Sequence, residues 1–220
     1  MNVSLAAFRE PRGVMRALQL VFAICAFSTI CGYEGNVTVK ACTSNPPVQS
    51  TLKFSYPFVL SEVEDTIKCP SPTTPSPTES TIYLTGDFHS DSQFFVASGV
   101  LAFLYCLGII VVYGLFEENY QSNSMLPLAD FVLTTVLAVL WLSSSAAWAN
   151  SLSAIKSVTE PASLRDQFKF LNEVYTASFS SLNISVLLGF LNFFLWASDL
   201  WFLYKETHWF KMRQESAGGV

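Results

Sequence analysis

Charge is scarce in this sequence: Asp, Glu, Lys and Arg make up 13% of its 220 residues, against about a quarter in an average soluble domain. With 51% of the residues hydrophobic, so few ionisable groups cannot build a surface for water, and another medium must solvate much of the chain. The 12 Lys and Arg form no basic tract and the formal net charge is -5; this composition excludes nucleic acid as a partner. Histidine is nearly missing. His89 and His208 are the only two, and no Cys/His/Asp spacing for a metal site and no nucleophile motif accompanies them. The expectation is a non-enzymatic protein with no catalytic, cofactor-binding or metal-binding residues.

Long apolar runs, uncharged but for Asp199, are what the chain has in place of charge. They cover residues 17–33, 94–116, 131–149 and 182–204, each close to the ~20 residues that cross about 30 Å of hydrocarbon. A spanning backbone must satisfy its own hydrogen bonds, so these runs are expected as helices even where β-branched residues cluster, as in 108–114. The fold class expected is an all-α membrane protein, a four-helix transmembrane bundle with a small disulfide-stapled sheet outside it. The first run is the shortest and follows Arg9, Arg12 and Arg16; a cleaved signal peptide, with Ala26-Phe27-Ser28 as its processing site, is the alternative reading of that run. Orientation follows from the basic residues. Arg9, Arg12, Arg16, Lys205, Lys211 and Arg213 flank the outermost runs closely, whereas Lys40, Lys53, Lys68, Lys156, Arg165 and Lys169 are spread over two longer loops. Both termini are therefore expected in the cytosol and loops 34–93 and 150–181 in the lumen. The expected divisions are a cytosolic segment 1–16, a four-span domain 17–207 and a short tail 208–220.

The five cysteines divide by environment. Cys25, Cys31 and Cys106 lie inside apolar runs, while Cys42 and Cys69 lie in the polar stretch between the first two runs, where an oxidising lumen favours a Cys42–Cys69 bridge over two free thiols. Alternation at 37–40 and 52–56, and a third candidate at 81–84, predict short strands in the same loop. Its Pro/Ser/Thr run, 70–81, reads as a solvated hairpin tip or an O-glycosylated one. Three sequences match the N-glycosylation pattern, beginning at Asn2, Asn36 and Asn183. Asn2 is expected in the cytosol and Asn183 at the start of a span, which leaves Asn36 as the candidate acceptor. In the second loop Ser163 and Asp166 resemble a capping box, and Leu164, Phe168, Leu171 and Tyr175 recur at helical spacing, predicting a short amphipathic helix.

Ionisable groups in or beside the runs are few enough to name. Asp199 lies within the fourth run, and Arg16 and Asp130 fall at the same cytosolic level on the first and third. This intramembrane polar cluster reads as a structural ion pair or as snorkelling rather than as an ion pathway. The run Ser143-Ser144-Ser145-Ala146-Ala147 offers small side chains for close helix packing. Trp141, Trp148, Trp196, Trp201 and Trp209 are expected in an interfacial belt.

Several ordered motifs resemble the synaptophysin/synaptoporin family. They are Glu10-Pro11, Phe54-Ser55-Tyr56-Pro57-Phe58, Gly86-Asp87-Phe88 leading to Phe94-Phe95-Val96, Asp130-Phe131, and Trp141-Leu142 through Trp148-Ala149. Gly189-Phe190-Leu191-Asn192, Trp201-Phe202 and Lys205-Glu206-Thr207 complete the set. The resemblance implies a MARVEL-type four-helix domain in the membrane of small transport or synaptic vesicles, in cholesterol-rich lipid, as a homo-oligomer. It also implies contact with the vesicle SNARE synaptobrevin and with the V-type proton ATPase, and a part in vesicle formation, trafficking or exocytosis. The sequence departs from the family in three places. Residues 150–181 lack the second cysteine pair, no long Gly/Tyr/Gln-rich tail follows Tyr204, and Asp199 stands where the family often has Asn. A channel or pore component and a MARVEL-type cell-junction protein are the alternative functions.

Overall fold

The computed structural model describes residues 11–42, 47–70, 77–115, 125–206 and 212. Asn2, Arg9, Glu10, His208, Trp209, Lys211, Arg213, residues 117–124 and residues 71–76 of the 70–81 run lie outside the described residues. In chain order the elements are α1 (Pro11–Cys31), β1 (Glu34–Ala41), β2 (Val48–Ser55), a 3-10 turn (Leu60–Glu62), β3 (Glu64–Cys69) and β4 (Thr78–Tyr83). They continue with α2 (His89–Leu115), α3 (Met125–Val158), α4 (Pro161–Gln167), β5 (Leu171–Thr176) and α5 (Ser180–Glu206). Four of the helices, α1, α2, α3 and α5, are long and apolar enough to cross a membrane. The β-branched stretch Ile109 to Val112 is helical within α2, as solvent without hydrogen-bonding capacity requires. Helix α3 is longer than the apolar run from which it was expected. Its last turns bury Trp148, Leu152 and Ile155 at helical spacing, so residues 150–158, expected as loop, continue the helix.

The chain divides into two compact units. The first comprises the described residues of Met1–Phe27, Phe95–Ala146 and Ser185–Val220. Each helix turns one stripe inward: Arg16, Gln19, Ala23 and Ala26 on α1; Phe95, Ala102 and Cys106 on α2; Asp130, Thr134 and Trp141 on α3; Asn192, Trp196 and Asp199 on α5. These spacings of three, four and seven are one face of a helix. The opposite faces, with Val14, Leu18, Leu101, Leu104, Val136, Val139, Leu187 and Phe194 exposed, are apolar, the reverse of a soluble protein's distribution. Close approach is set by small residues. A Cβ built on Gly189 would lie 2.6 Å from the Phe95 ring and against the Ser145 hydroxyl, so only glycine lets these backbones come together. Ser144 and Ser145 of the small-residue run are buried, and Ser143 turns its hydroxyl onto the carbonyl oxygen of Val139 in its own helix. The tryptophan belt needs correction. Trp141, Trp148 and Trp196 are fully buried and Trp201 is exposed, because the wide indoles fill interior volume of their own units, which an apolar run read in one dimension does not reveal.

The second unit, Ser28–Phe94 with Ala147–Ile184, carries two small sheets. One is antiparallel in the order β2-β1-β5, and the other is the β3-β4 hairpin. Strands β1 and β2 pair from Glu34 opposite Ser55 to Ala41 opposite Val48, and alternation buries Val37, Val39, Ala41, Leu52 and Phe54. Gly35 lies against Phe54, where a Cβ would overlap the ring. Phe54, Phe58, Tyr33, Phe179 and Trp148 then form a chain of tilted and stacked aromatic contacts, and favourable aromatic pairs add about 0.5–1.5 kcal/mol each beyond burial. The second loop holds a shorter helix than the one expected there: α4 covers Pro161–Gln167 and buries Leu164, with Phe168 as its C-cap. Helix α4 begins at Pro161, with Glu160 as N-cap and no side-chain cap bond, so Ser163 caps nothing. Residues Leu171–Thr176 form β5 instead, with Thr38 opposite Tyr175 and Val39 opposite Val174. Leu171 and Val174 are buried; their three-residue spacing mimics a helix because the register shifts beside Ala41. On the polar face Lys40 binds Glu173 at 2.7 Å, and that hydrogen bond holds the Glu173 carboxyl below its ordinary range.

Candidate functional site

Apolar spans tolerate an ionised side chain only with partners, because an isolated one at mid-membrane costs about 2.5–3.5 kcal/mol even on insertion scales. Arg16, Asp130 and Asp199 are brought together in the bundle unit. The Arg16 and Asp199 side chains are 0% exposed and that of Asp130 is 1%. Arg16 Nη2 lies 2.6 Å from Asp130 Oδ1, and Nη1 lies 3.1 Å from Asp199 Oδ2. This is an enclosed ion pair shared by two carboxylates. Snorkelling, which would carry the guanidinium out to the headgroups, is not what the geometry shows.

The rest of the site grows from helix spacing. Three residues after Arg16, Gln19 faces the same way; its Oε1 accepts from Arg16 Nη1 at 2.9 Å and its Nε2 donates to Asp199 Oδ2 at 3.1 Å. Four residues after Asp130, Thr134 accepts from Arg16 Nη2 at 2.7 Å and donates to Asp130 Oδ1 at 3.3 Å. Helix α2 contributes two phenols: Tyr105 donates to Asp130 Oδ1 at 2.5 Å, and Tyr113 donates to Oδ2. Arg16 lies over the rings of Tyr105 and Trp196, with its guanidinium carbon 5.3 and 5.2 Å from their centroids. A planar delocalised cation suits this double duty of forked donor and π-stacked plate.

The two carboxylates differ. Asp130 collects donors from Arg16, Thr134, Tyr105 and Tyr113, whereas the Gln19 amide is the hydrogen-bond donor to Asp199. All four long helices meet here, through Arg16 and Gln19, Tyr105 and Tyr113, Asp130 and Thr134, and Trp196 and Asp199. The arrangement can fix the rotation and depth of four helices at once, because charged, directional bonds in a low dielectric tolerate little displacement. Gln19, Thr134, Tyr105, Tyr113 and Trp196 were not singled out from sequence. Gln19 and Thr134 were legible as the next residues on the same faces as Arg16 and Asp130; the two tyrosines and Trp196 depend on which helix packs where.

Cys42 and Cys69 are joined by a disulfide, linking the residue after β1 to the last residue of β3. Asn36 is exposed on β1, opposite Lys53 on β2, so its side chain stands clear of the sheet's buried face. Asn183 accepts a 2.6 Å hydrogen bond from Lys156. Against known families, the model for MARVEL, a membrane-associating domain, matches residues 7–202.

Proposed function

The chain belongs to the MARVEL family of membrane-associating domains, and from that premise we propose that it is a non-enzymatic integral protein of small transport or synaptic-type vesicles. In this reading it organises vesicle lipid and partner membrane proteins during vesicle biogenesis, trafficking or exocytosis. One observation carries it: the distribution of polarity in the bundle unit. Arg16, Asp130 and Asp199 are turned inward and engage one another, while the outward faces present rows of Val, Leu and Phe. Such a surface suits lipid chains and the apolar faces of other spans, and it offers no polar grip for a soluble substrate. The finer placement in the synaptophysin family rests on the ordered motifs from Glu10-Pro11 to Lys205-Glu206-Thr207. That placement supplies the proposed partners: cholesterol-containing lipid, further copies of the chain, synaptobrevin and the V-type proton ATPase. Cytosolic termini, and with them a lumenal Asn36 open to glycosylation, rest instead on the basic residues that flank the outermost spans.

A pore component is the second reading, favoured by the buried polar positions Asn192, Ser145, Thr134 and Asp199 on the inward helix faces. Selective, saturable conductance from purified protein in liposomes would move the assignment there. The leading proposal is tested by expressing the full chain with a fluorescent tag. Cytoplasmic puncta that co-fractionate with small vesicles are expected. A continuous signal along lateral plasma membrane would overturn the vesicle reading in favour of a cell-junction protein.

A further inference from the structure

Six buried side-chain atoms in the bundle unit have no hydrogen-bond partner among the described residues: Arg16 Nε, Trp196 Nε1, Asp199 Oδ1, Trp141 Nε1, Ser145 Oγ and Asn192 Oδ1. Buried polar atoms are nearly always satisfied, and leaving one bare inside a low-dielectric bundle is costly. They fall into two sets. Arg16, Trp196 and Asp199 belong to the ionic cluster: the Arg16 guanidinium carbon is 5.2 Å from the Trp196 ring centroid, and its Nη1 is 3.1 Å from Asp199 Oδ2. The second set is nearer the middle of the same helices. Gly189 on α5 abuts Ser145 on α3; Trp141 lies one turn from Ser145 on α3 and Asn192 one turn from Gly189 on α5. Because the glycine contact brings these helices together, Trp141 and Asn192 fall at neighbouring depths. All six residues are 0% exposed.

We propose that the bundle interior holds two bound waters, one at each set. The chemistry of the unpartnered atoms selects the ligand. The first set has two N–H donors, on Arg16 and Trp196, and one carboxylate acceptor on Asp199. A cation there would meet the two donors and an anion would meet the carboxylate, whereas one water accepts from both nitrogens and donates to Asp199 Oδ1. The second set has a donor on Trp141, an acceptor on Asn192 and a hydroxyl on Ser145 that can serve either way, a complement that the two donors and two acceptors of one water match. Buried waters typically make about three hydrogen bonds to such groups. The inference is independent of the vesicle reading, since it concerns the bundle in any membrane.

Radiolytic hydroxyl-radical footprinting in 18O-water tests it, because radicals generated at a bound water label the side chains that touch it. The full chain in lipid nanodiscs is irradiated and labelling is normalised to the intrinsic reactivity of each side chain. Trp141 and Trp196, although fully buried, should incorporate 18O well above Phe194, which is 62% exposed but on an apolar face. Asn192→Leu should lower labelling of Trp141 several-fold and leave Trp196 unchanged. Labelling of both tryptophans at the Phe194 level in the unmutated chain overturns the proposal without recourse to any variant. Labelling of Trp196 alone upholds the first site and overturns the second.

Discussion

Replacing Arg16 with methionine should lower the thermal unfolding temperature of the purified chain by roughly 10 °C, the shift that corresponds to about 3–5 kcal/mol for a chain of this size. Methionine fills much of the volume and suits an apolar span, so any loss comes from what it leaves behind. Asp130 and Asp199 would stay buried without the guanidinium that lies 2.6 and 3.1 Å from them. Gln19 Oε1 and Thr134 Oγ1 would each lose the donor Arg16 now supplies. Removing one member of a buried ion pair costs far more than the pair itself contributes, because desolvation of the survivor is no longer offset. Arg16→Lys separates charge from geometry. The ammonium keeps the positive charge but cannot lie flat against Tyr105 and Trp196 while bonding Asp130 and Gln19 together, so an intermediate loss is expected. Scanning fluorimetry in detergent reads both variants. An Arg16→Met protein that melts within about 2 °C of the unmutated chain would mean that the cluster holds nothing together.

The second large effect is expected in the sheet-bearing unit. Cys42 and Cys69 are 27 residues apart in sequence, and closing a loop of that length restricts the unfolded chain by about 3–4 kcal/mol in the chain-entropy account. The bridge adds to the unit's small core, which includes the aromatic chain through Tyr33, Phe54, Phe58, Phe179 and Trp148. Its three-stranded sheet buries one face, and its hairpin contributes Ile67 and Ile82 to the interior. Cys42→Ser should therefore make residues 28–94 markedly more sensitive to added protease and hold much of the protein in the endoplasmic reticulum, with Cys69→Ser matching it and the double variant adding nothing. Matching single and double effects mark one bond. In the unmutated chain, alkylation after unfolding without reductant should modify Cys25, Cys31 and Cys106; modification of all five cysteines would contradict the bridge.

The membrane helices were legible because a span must be long and predominantly apolar, a requirement that one-dimensional sequence carries in full. The disulfide was legible for a similar reason, since Cys42 and Cys69 stand apart from the cysteines of the apolar runs. Arg16, Asp130 and Asp199 could be grouped by depth alone. Their distances, and the addition of Tyr105, Tyr113 and Trp196, required knowing which helix faces meet. Strand β5 was hidden because Leu164, Phe168, Leu171 and Tyr175 recur at helical spacing, whereas Tyr175 is exposed and the residue buried with Leu171 is Val174, across a register shift beside Ala41. Tryptophan position misled as well. Proximity to a span's end suggested an interfacial belt, but Trp141, Trp148 and Trp196 fill the interior of their units, and only partner surfaces decide between those fates.

The four-span arrangement is tested most directly by asking which parts of the chain protease can reach from outside sealed vesicles. Epitope tags are placed before Met1, within residues 70–81 and after Val220, and intact vesicles are treated with protease before and after detergent. Four spans with cytosolic ends predict that both terminal tags disappear at once while the 70–81 tag survives until detergent is added. A protected N-terminal tag beside an accessible C-terminal one would show an odd number of crossings and contradict the account.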